Sequence, residues 1–255
     1  MSNRWGSLHI FKMEVDIILL IYIFVIAFIY SSVGHGGGSG YLAVMTLFGY
    51  ETGVIRSSAL FLNLFVSCIA FYQYFKRGYF KMKIFLPFAL TSVPMAYIGG
   101  TITVESAIYK KILGVSLLFM IISLLVRFED KNRKKNFAPY YIAGPIGLIL
   151  GFVSGILGMG GGIILSPMLL IFQWTDIKET AAVSSLFIFV NSFAALFGVW
   201  SGGIKLSPIF LFWVLSAMGG GFLGAYIGSY VLNFKLMKYM LTIVICFASL
   251  KLIIS

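Results

Sequence analysis

The sequence has few charged residues, and this scarcity excludes a soluble domain. Only 11% of its 255 residues are charged, 60% are hydrophobic, and the mean hydropathy is +1.00. A soluble protein carries about 25% charged residues. The composition therefore predicts an integral membrane protein.

Acidic residues are the scarcest of the charged ones, and all eight fall at the ends of apolar runs or in loops. They are Glu14, Asp16, Glu51, Glu105, Glu129, Asp130, Asp176 and Glu179. The sequence thus offers no carboxylate deep in an apolar run to bind a cation. The net charge of +11 comes from basic residues clustered between apolar runs. Such clusters orient a protein in its membrane, so we expect no nucleic-acid partner.

Cysteine is nearly absent. Cys68 and Cys246 both lie in apolar runs without a C-x-x-C spacing, which excludes a disulfide framework and gives no metal site. We expect no cofactor. The first apolar run lacks an A-x-A cleavage pattern, so it is predicted to be a retained span rather than a signal peptide.

Apolar runs long enough to cross a bilayer follow one another along the chain. They cover residues 16–33, 53–75, 84–102, 107–127, 139–157, 178–200, 207–228 and 236–254. Their lengths favour helices, since a helical span needs about 20 apolar residues. The predicted fold is an all-α integral membrane protein.

Two glycine-rich segments, Gly34-His-Gly-Gly-Gly-Ser-Gly40 and Gly158-Met-Gly-Gly-Gly162, interrupt this apolar sequence. Each glycine costs about 1 kcal/mol inside a helix. Non-helical backbone is tolerated in a bilayer only where protein or a water-filled cavity forms hydrogen bonds with its N–H and C=O groups. We predict a glycine-rich re-entrant or broken helix at each segment, with 34–49 interpreted as a re-entrant half-helix. The alternative is close helix packing, as expected for Gly220, Gly224 and Gly228.

The order of features in the first half recurs in the second, which predicts a duplication. The matched pairs are Glu51 with Glu179, Ser57 with Ser185, and Asn63 with Asn191. We predict two repeats of about four spans each, at residues 1–130 and 139–255, joined by a basic cytoplasmic linker at 131–138. Paired repeats of this kind are typical of transporters whose site lies between the halves.

Basic residues predict the orientation. Four crossings plus one re-entrant element per half bring the clusters at 76–83 and 127–135 to the cytoplasmic side, together with both termini. The same scheme puts Lys205 inside and Arg56 and Lys178 outside. We therefore predict a multi-pass protein of the cell (inner) membrane with both termini in the cytoplasm.

The segment Gly158-Met-Gly-Gly-Gly-Ile-Ile-Leu-Ser-Pro167 resembles the glycine-rich, proline-ended motif of the sulfite exporter TauE/SafE family. Ser-Ser-Leu at 184–186 stands where that family has Thr-Ser-Leu. The first copy departs from the motif, with Ala43 in the place of Pro167. The resemblance implies an anion permease of two repeats, with substrates among sulfite, sulfonates and other sulfur-containing or carboxylate anions.

The glycine segments themselves favour an anion. A half-helix whose amino terminus points into the protein offers backbone N–H groups and the positive end of its dipole. Hydroxyl and amide side chains nearby would add further donors, unless they bond their own helix or join spans. The predicted substrate-binding residues are Gly36, Gly37, Gly38, Ser39, Ser57, Asn63, Gly160, Gly161, Gly162, Ser184, Ser185 and Asn191.

Three residues are candidates for proton coupling. His35 changes charge near neutral pH, and the matched Glu51 and Glu179 would take up a proton if partly buried beside the anion. The alternatives are a histidine that caps the re-entrant element and two solvated carboxylates.

Two other functions use the same residues. A passive anion channel would need the same glycines. Gly37-Gly38-Ser39-Gly40 also fits the G-x-S-G pattern of rhomboid serine proteases, but His35 is only four residues from Ser39 and His9 precedes the first span, so a base from another span is missing. We expect no enzyme activity, a small anion and the lipid bilayer as partners, and no oligomeric state is predicted.

Overall fold

The computed structural model describes residues 2–125 and 139–230, and every regular element in this part of the chain is an α-helix. The helices are α1 (Ser2–Ser31), α2 (Gly38–Leu47), α3 (Thr52–Lys76), α4 (Met82–Thr101), α5 (Ser106–Leu125), α6 (Tyr140–Leu157), α7 (Gly162–Ile171), α8 (Ile177–Trp200) and α9 (Phe210–Tyr230). The predicted linker at 131–138 and the predicted last span at 236–254 lie outside the described residues.

Five of these helices, α3, α4, α6, α8 and α9, are long and apolar enough to cross a membrane. Their bounds match the predicted runs at 53–75, 84–102, 139–157, 178–200 and 207–228 to within a few residues. The chain is therefore a multi-pass membrane protein, as the composition predicts.

Two ion pairs establish the relative direction of α3 and α8. The Lys205 Nζ, beyond the end of α8, lies 3.4 Å from Glu51 Oε2 at the start of α3. The Lys81 Nζ, beyond the end of α3, lies 3.5 Å from Glu179 Oε1 in the first turn of α8. The two helices are antiparallel, and we call the two ends of the bundle the Glu51 end and the Lys81 end.

Glycines on α6 bring that helix against α4. A Cβ added at Gly147, Gly151 or Gly155 would meet the backbone carbonyl of Phe88, Ser92 or Ala96, respectively. Residue numbers increase in the same direction along the two helices, so α4 and α6 are parallel. Since α4 begins just after Lys81, α6 also begins at the Lys81 end.

A second glycine stripe joins α9 to α1. Added Cβ atoms at Gly220, Gly224 and Gly228 would meet the carbonyls of Phe24, Phe28 and Ser32, respectively. The packing role predicted for these glycines is observed, and α1 and α9 are parallel. Since α9 begins soon after Lys205, α1 runs from the Glu51 end to the Lys81 end.

These directions correct the interpretation of 34–49 as a re-entrant half-helix. Both α1 and α3 run from the Glu51 end to the Lys81 end, so the chain between them must return across the bundle. The ring of Phe48, just after α2, packs edge-on against Tyr22 on α1 at 6.1 Å between centroids. With ten residues, α2 covers about 15 Å of this return, and the glycine-containing chain before it covers the rest. The segment is a broken span.

The predicted sidedness is wrong for the same reason. Because each broken span counts as a crossing, the chain enters α1 at the Glu51 end and α6 at the Lys81 end. The first residues of α1 and of α6 therefore cannot share one side of the membrane, and Lys205 lies at the same end as Arg56 rather than opposite to it. Lys178 likewise lies at the Lys81 end, since its Nζ is 3.4 Å from the Tyr79 hydroxyl.

Candidate functional site

Two glycine loops meet inside the bundle. The first loop (34–37) leads into α2 and the second loop (158–161) leads into α7. The last residue of each has a left-handed backbone that favours glycine, with φ 92° at Gly37 and φ 73° at Gly161. An added Cβ at Gly38 would lie 3.0 Å from the carbonyl oxygen of Met159, so the first residue of α2 contacts the second loop.

The amino termini of α2 and α7 have no side-chain cap. The first bond into α2 runs from Tyr41 N to the Gly37 carbonyl at 3.0 Å, and α7 starts with Ile164 N donating to the Gly161 carbonyl at 3.2 Å. Helix α8 differs, because Asp176 accepts a hydrogen bond from Glu179 N at 2.9 Å. Two buried helix ends thus combine N–H groups ahead of the first intrahelical bond with a positive dipole end.

Asn63 on α3 and Ile188 on α8 both touch the two loops. Asn63 Oδ1 would be 2.6 Å from a Cβ at Gly36, and its Nδ2 donates to the Gly158 carbonyl at 3.4 Å. Ile188 Cγ2 would be 3.0 Å from a Cβ at Gly36 and 2.6 Å from one at Gly160. Asn63 is fully buried, and its Oδ1 has no hydrogen-bond partner in the described part of the chain. Among the described residues, its amide is therefore held by one long hydrogen bond.

Asn191, the predicted match of Asn63, lies in a different environment. Its Nδ2 donates to the Phe187 carbonyl of its own helix at 2.8 Å. The neighbouring Ser192 contacts the second loop instead, with its Oγ 2.9 Å from a Cβ at Gly160. The matched asparagines are thus not equivalent in the fold.

Sequence reasoning missed two serines beside the second loop. Ser192 and Ser154 are buried, and neither Oγ has a hydrogen-bond partner among the described residues. Ser154 Cβ would lie 3.2 Å from a Cβ at Gly161. Both hydroxyls are donors for an oxyanion. Only the folded packing of α6 and α8 on the second loop distinguishes them from other serines in apolar spans.

The predicted serines separate into two groups. Ser39 Oγ is 2.9 Å from the Tyr30 hydroxyl, and Ser185 Oγ donates to the Ala182 carbonyl of its own helix at 3.0 Å. Ser57 is buried. Ser184 belongs instead to a chain of polar contacts that links the two halves.

This chain starts at His35. The His35 Nδ1 is 3.1 Å from the Val33 carbonyl, and its Nε2 is 2.9 Å from Ser166 Oγ on α7. Ser166 Oγ is 2.7 Å from Ser184 Oγ on α8 and 2.9 Å from the Gly162 carbonyl. The His35 ring is therefore paired with Ser166 on α7.

Glu51 and Glu179 both lie at helix starts. The side chain of Glu51 is 75% exposed beside Lys205. Glu179 accepts from Asp176 N at 3.1 Å through Oε2, within the capping box of α8. Twelve residues separate Glu51 from Asn63, a rise of about 18 Å along α3. His35 lies in the first loop itself, and Glu179 is two residues before Ala181, whose backbone a Cβ at Gly34 would meet.

No group of three or more His, Cys, Asp or Glu side chains in the described ranges is arranged to hold a metal ion. What the site offers is backbone N–H groups, hydroxyls and amides, which suit an anion.

Comparison with known proteins gives one family. The family model for the sulfite exporter TauE/SafE matches residues 19–252. The probable membrane transporter protein y4hK of Sinorhizobium fredii is 34% identical over 242 residues, covering 92% of this chain and 97% of that protein. The probable membrane transporter protein MJ0441 of Methanocaldococcus jannaschii is 28% identical over 192 residues, covering 69% and 70%. No solved structure matches the chain significantly.

Proposed function

Because the chain belongs to the sulfite exporter TauE/SafE family of membrane transporters, which are not enzymes, we propose that it is a permease of small anions. The proposed substrate is sulfite, a sulfonate or another sulfur-containing oxyanion or organic acid, bound between the two glycine loops. The observation that carries this proposal is the meeting of two uncapped helix amino termini in the buried centre of the bundle. Each such terminus is an anion site that needs no charged side chain.

Around these termini, the proposed ligands fall into two kinds. The backbone donors are the N–H groups of Gly36 to Gly38 and of Gly160 to Gly162. The side-chain donors are Asn63 and, from the structure, Ser154 and Ser192, whose hydroxyls are unpartnered within the described residues. Buried polar groups are normally hydrogen-bonded, so unpartnered ones beside a loop support a ligand there.

We propose that the two halves are inverted repeats. Helices α3 and α8 are antiparallel, and α2 and α7 are each ten residues long. The packing is reciprocal, since α1 lies on α9 while α6 lies on α4. In transporters of this kind, the site lies at the interface of the repeats and near the bilayer midplane. Alternating access would then move one half against the other around the two loops.

Reconstituted protein tests the proposal. Proteoliposomes would be offered radiolabelled sulfite, thiosulfate, methanesulfonate and small carboxylates, with empty liposomes as the control. We expect saturable uptake of at least one sulfur oxyanion and faster uptake when the same anion is loaded inside. A current that rises linearly with concentration, without such trans-stimulation, would indicate a passive channel. Uptake of none of these anions would contradict the proposal.

The corrected helix directions give a topology prediction. The Lys81 end carries Lys76, Arg77, Lys81, Lys83 and Lys178, and the basic linker precedes α6 there, so the positive-inside rule puts this end in the cytoplasm. In a background without Cys68 and Cys246, we expect Gly202→Cys at the Glu51 end to react with an impermeant thiol reagent added outside intact cells. Asn132→Cys should react only after permeabilisation. The reverse pattern would refute this orientation.

A further inference from the structure

Arg56 is a buried cation whose hydrogen bonds to described residues all go to backbone carbonyls. It lies in the second turn of α3 with 8% of its surface exposed. Its guanidinium donates to the carbonyls of Ile102 at 2.7 Å, Gly99 at 2.7 Å, Gly100 at 2.9 Å and Gly155 at 2.6 Å. These carbonyls belong to the last turns of α4 and α6. No carboxylate in the described part of the chain contacts Arg56.

This arrangement neutralises the charge only in part. The carboxyl end of a helix carries a partial negative charge of about one half, which favours a nearby cation. A buried cation without a carboxylate is otherwise expensive to keep in a low-dielectric interior. The bundle therefore holds positive charge that a bound anion would neutralise.

Arg56 is also placed beside the second glycine loop. Its Cγ would lie 3.1 Å from a Cβ at Gly158. Asn63, seven residues later on the same face of α3, donates to the carbonyl of that same Gly158. When the two halves are aligned on Asn63 and Asn191, Arg56 is matched by Ser184, which carries no charge. Among the described residues, this matched pair contributes a buried cation from the first half alone.

We propose that Arg56 supplies a fixed positive charge to the anion site and makes the site favour doubly charged oxyanions over singly charged ones. This inference rests on the proposed function and narrows its substrate class. Backbone N–H groups would bind the oxyanion by hydrogen bonding, and Arg56 would act on its charge from behind the second loop. Arg56 is thus a specificity residue that need not touch the substrate.

Charge dependence separates this role from structural support, because Coulomb energy scales with the product of the charges. Methanesulfonate (1−) and thiosulfate (2−) serve as the two probes in proteoliposomes. If one of them is bound without being transported, its constant for inhibiting uptake of a transported anion is measured in place of KM. We expect Arg56→Gln to raise KM for methanesulfonate about 5-fold and for thiosulfate about 25-fold, the square of the first factor. Arg56→Lys, which keeps the charge, should leave the ratio of the two KM values within about twofold of wild type.

Tyr109→Phe is the matched control. The Tyr109 hydroxyl donates to the Leu157 carbonyl at 2.7 Å, so it supports the same end of α6 without carrying a charge. Its removal should change KM for both probes by the same factor.

If Arg56→Gln also changed both KM values by the same factor, Arg56 would be a structural brace and the inference would be wrong, while the proposed function would stand. If Arg56→Gln did not reach the membrane, a changed KM ratio in Arg56→Lys would overturn the inference. Wild-type protein that neither carries nor binds any anion of the uptake panel would remove the proposed function itself.

Discussion

Replacement of Gly160 by alanine is expected to lower transport by about 100-fold, through overpacking at the site, whereas alanine at Gly49 should leave most transport intact. The two glycines have the same left-handed backbone, with φ 74° at Gly160 and φ 75° at Gly49. Any cost of placing a side chain at this φ is therefore shared. The contacts are not shared, because a Cβ at Gly160 would lie 2.6 Å from Ile188 Cγ2 and 2.9 Å from Ser192 Oγ, while Gly49 has nothing within 4 Å.

Initial uptake rates per reconstituted molecule would measure this difference, with the melting temperature of both purified variants as the check on folding. A further pair, Gly37→Leu and Gly161→Leu, should also lose transport while remaining in the membrane. Equal losses in Gly160→Ala and Gly49→Ala would show that backbone strain, and not the site, explains the effect. Full activity of Gly160→Ala would contradict a requirement for glycine at this position of the second loop.

Much of the helical framework follows from the sequence alone. Apolar runs of bilayer length predict α3, α4, α6 and α8 closely, because hydropathy over 20 residues is a property of the segment itself. Helices α2 and α7 begin at Gly38 and Gly162, within the two glycine-rich segments. Local composition suffices for these features, since glycine disfavours helix wherever the segment lies.

The direction of the second half could not be predicted in this way. Hydropathy does not distinguish a short helix that turns back from one that completes a broken crossing. The deciding contacts, Lys205 with Glu51 and Lys81 with Glu179, join residues far apart in sequence. Counting basic residues then favoured the wrong scheme, because the count changes whenever one short element is reassigned.

The difference between the two halves at the site could not be predicted from the sequence either. Matching of the halves pairs His35 with Met159, Leu42 with Ser166, and Arg56 with Ser184. One residue of each pair, His35, Ser166 and Ser184, takes part in a single polar chain. Arg56, the partner of Ser184 in the alignment, is a buried cation. A duplicated sequence predicts where equivalent residues lie, but each side chain still takes whichever partners its own half supplies.

The polar chain at His35 can accept a proton without rearrangement of its heavy atoms. In the neutral ring, Nδ1–H donates to the Val33 carbonyl and Nε2 accepts from the Ser166 hydroxyl. In the charged ring, Nε2–H donates to Ser166 Oγ, whose own hydrogen can turn to the Gly162 carbonyl or to Ser184. Both protonation states of His35 are thus hydrogen-bonded, and the change reaches the first residue of α7 at the anion site.

We therefore expect His35→Ala to abolish anion accumulation driven by a pH gradient while leaving downhill exchange of labelled anion. The double variant Glu51→Gln with Glu179→Gln should still accumulate anion, because its carboxylates lie at helix starts and bond Lys205 and the α8 cap. Accumulation and exchange would be measured in the same proteoliposomes.

Loss of accumulation in the double variant alone would transfer the coupling role to the carboxylates. Accumulation unchanged in the triple variant would exclude both routes. The anion gradient and the membrane potential, worth about 2.3 kcal/mol per charge per 100 mV, would then set the direction of transport.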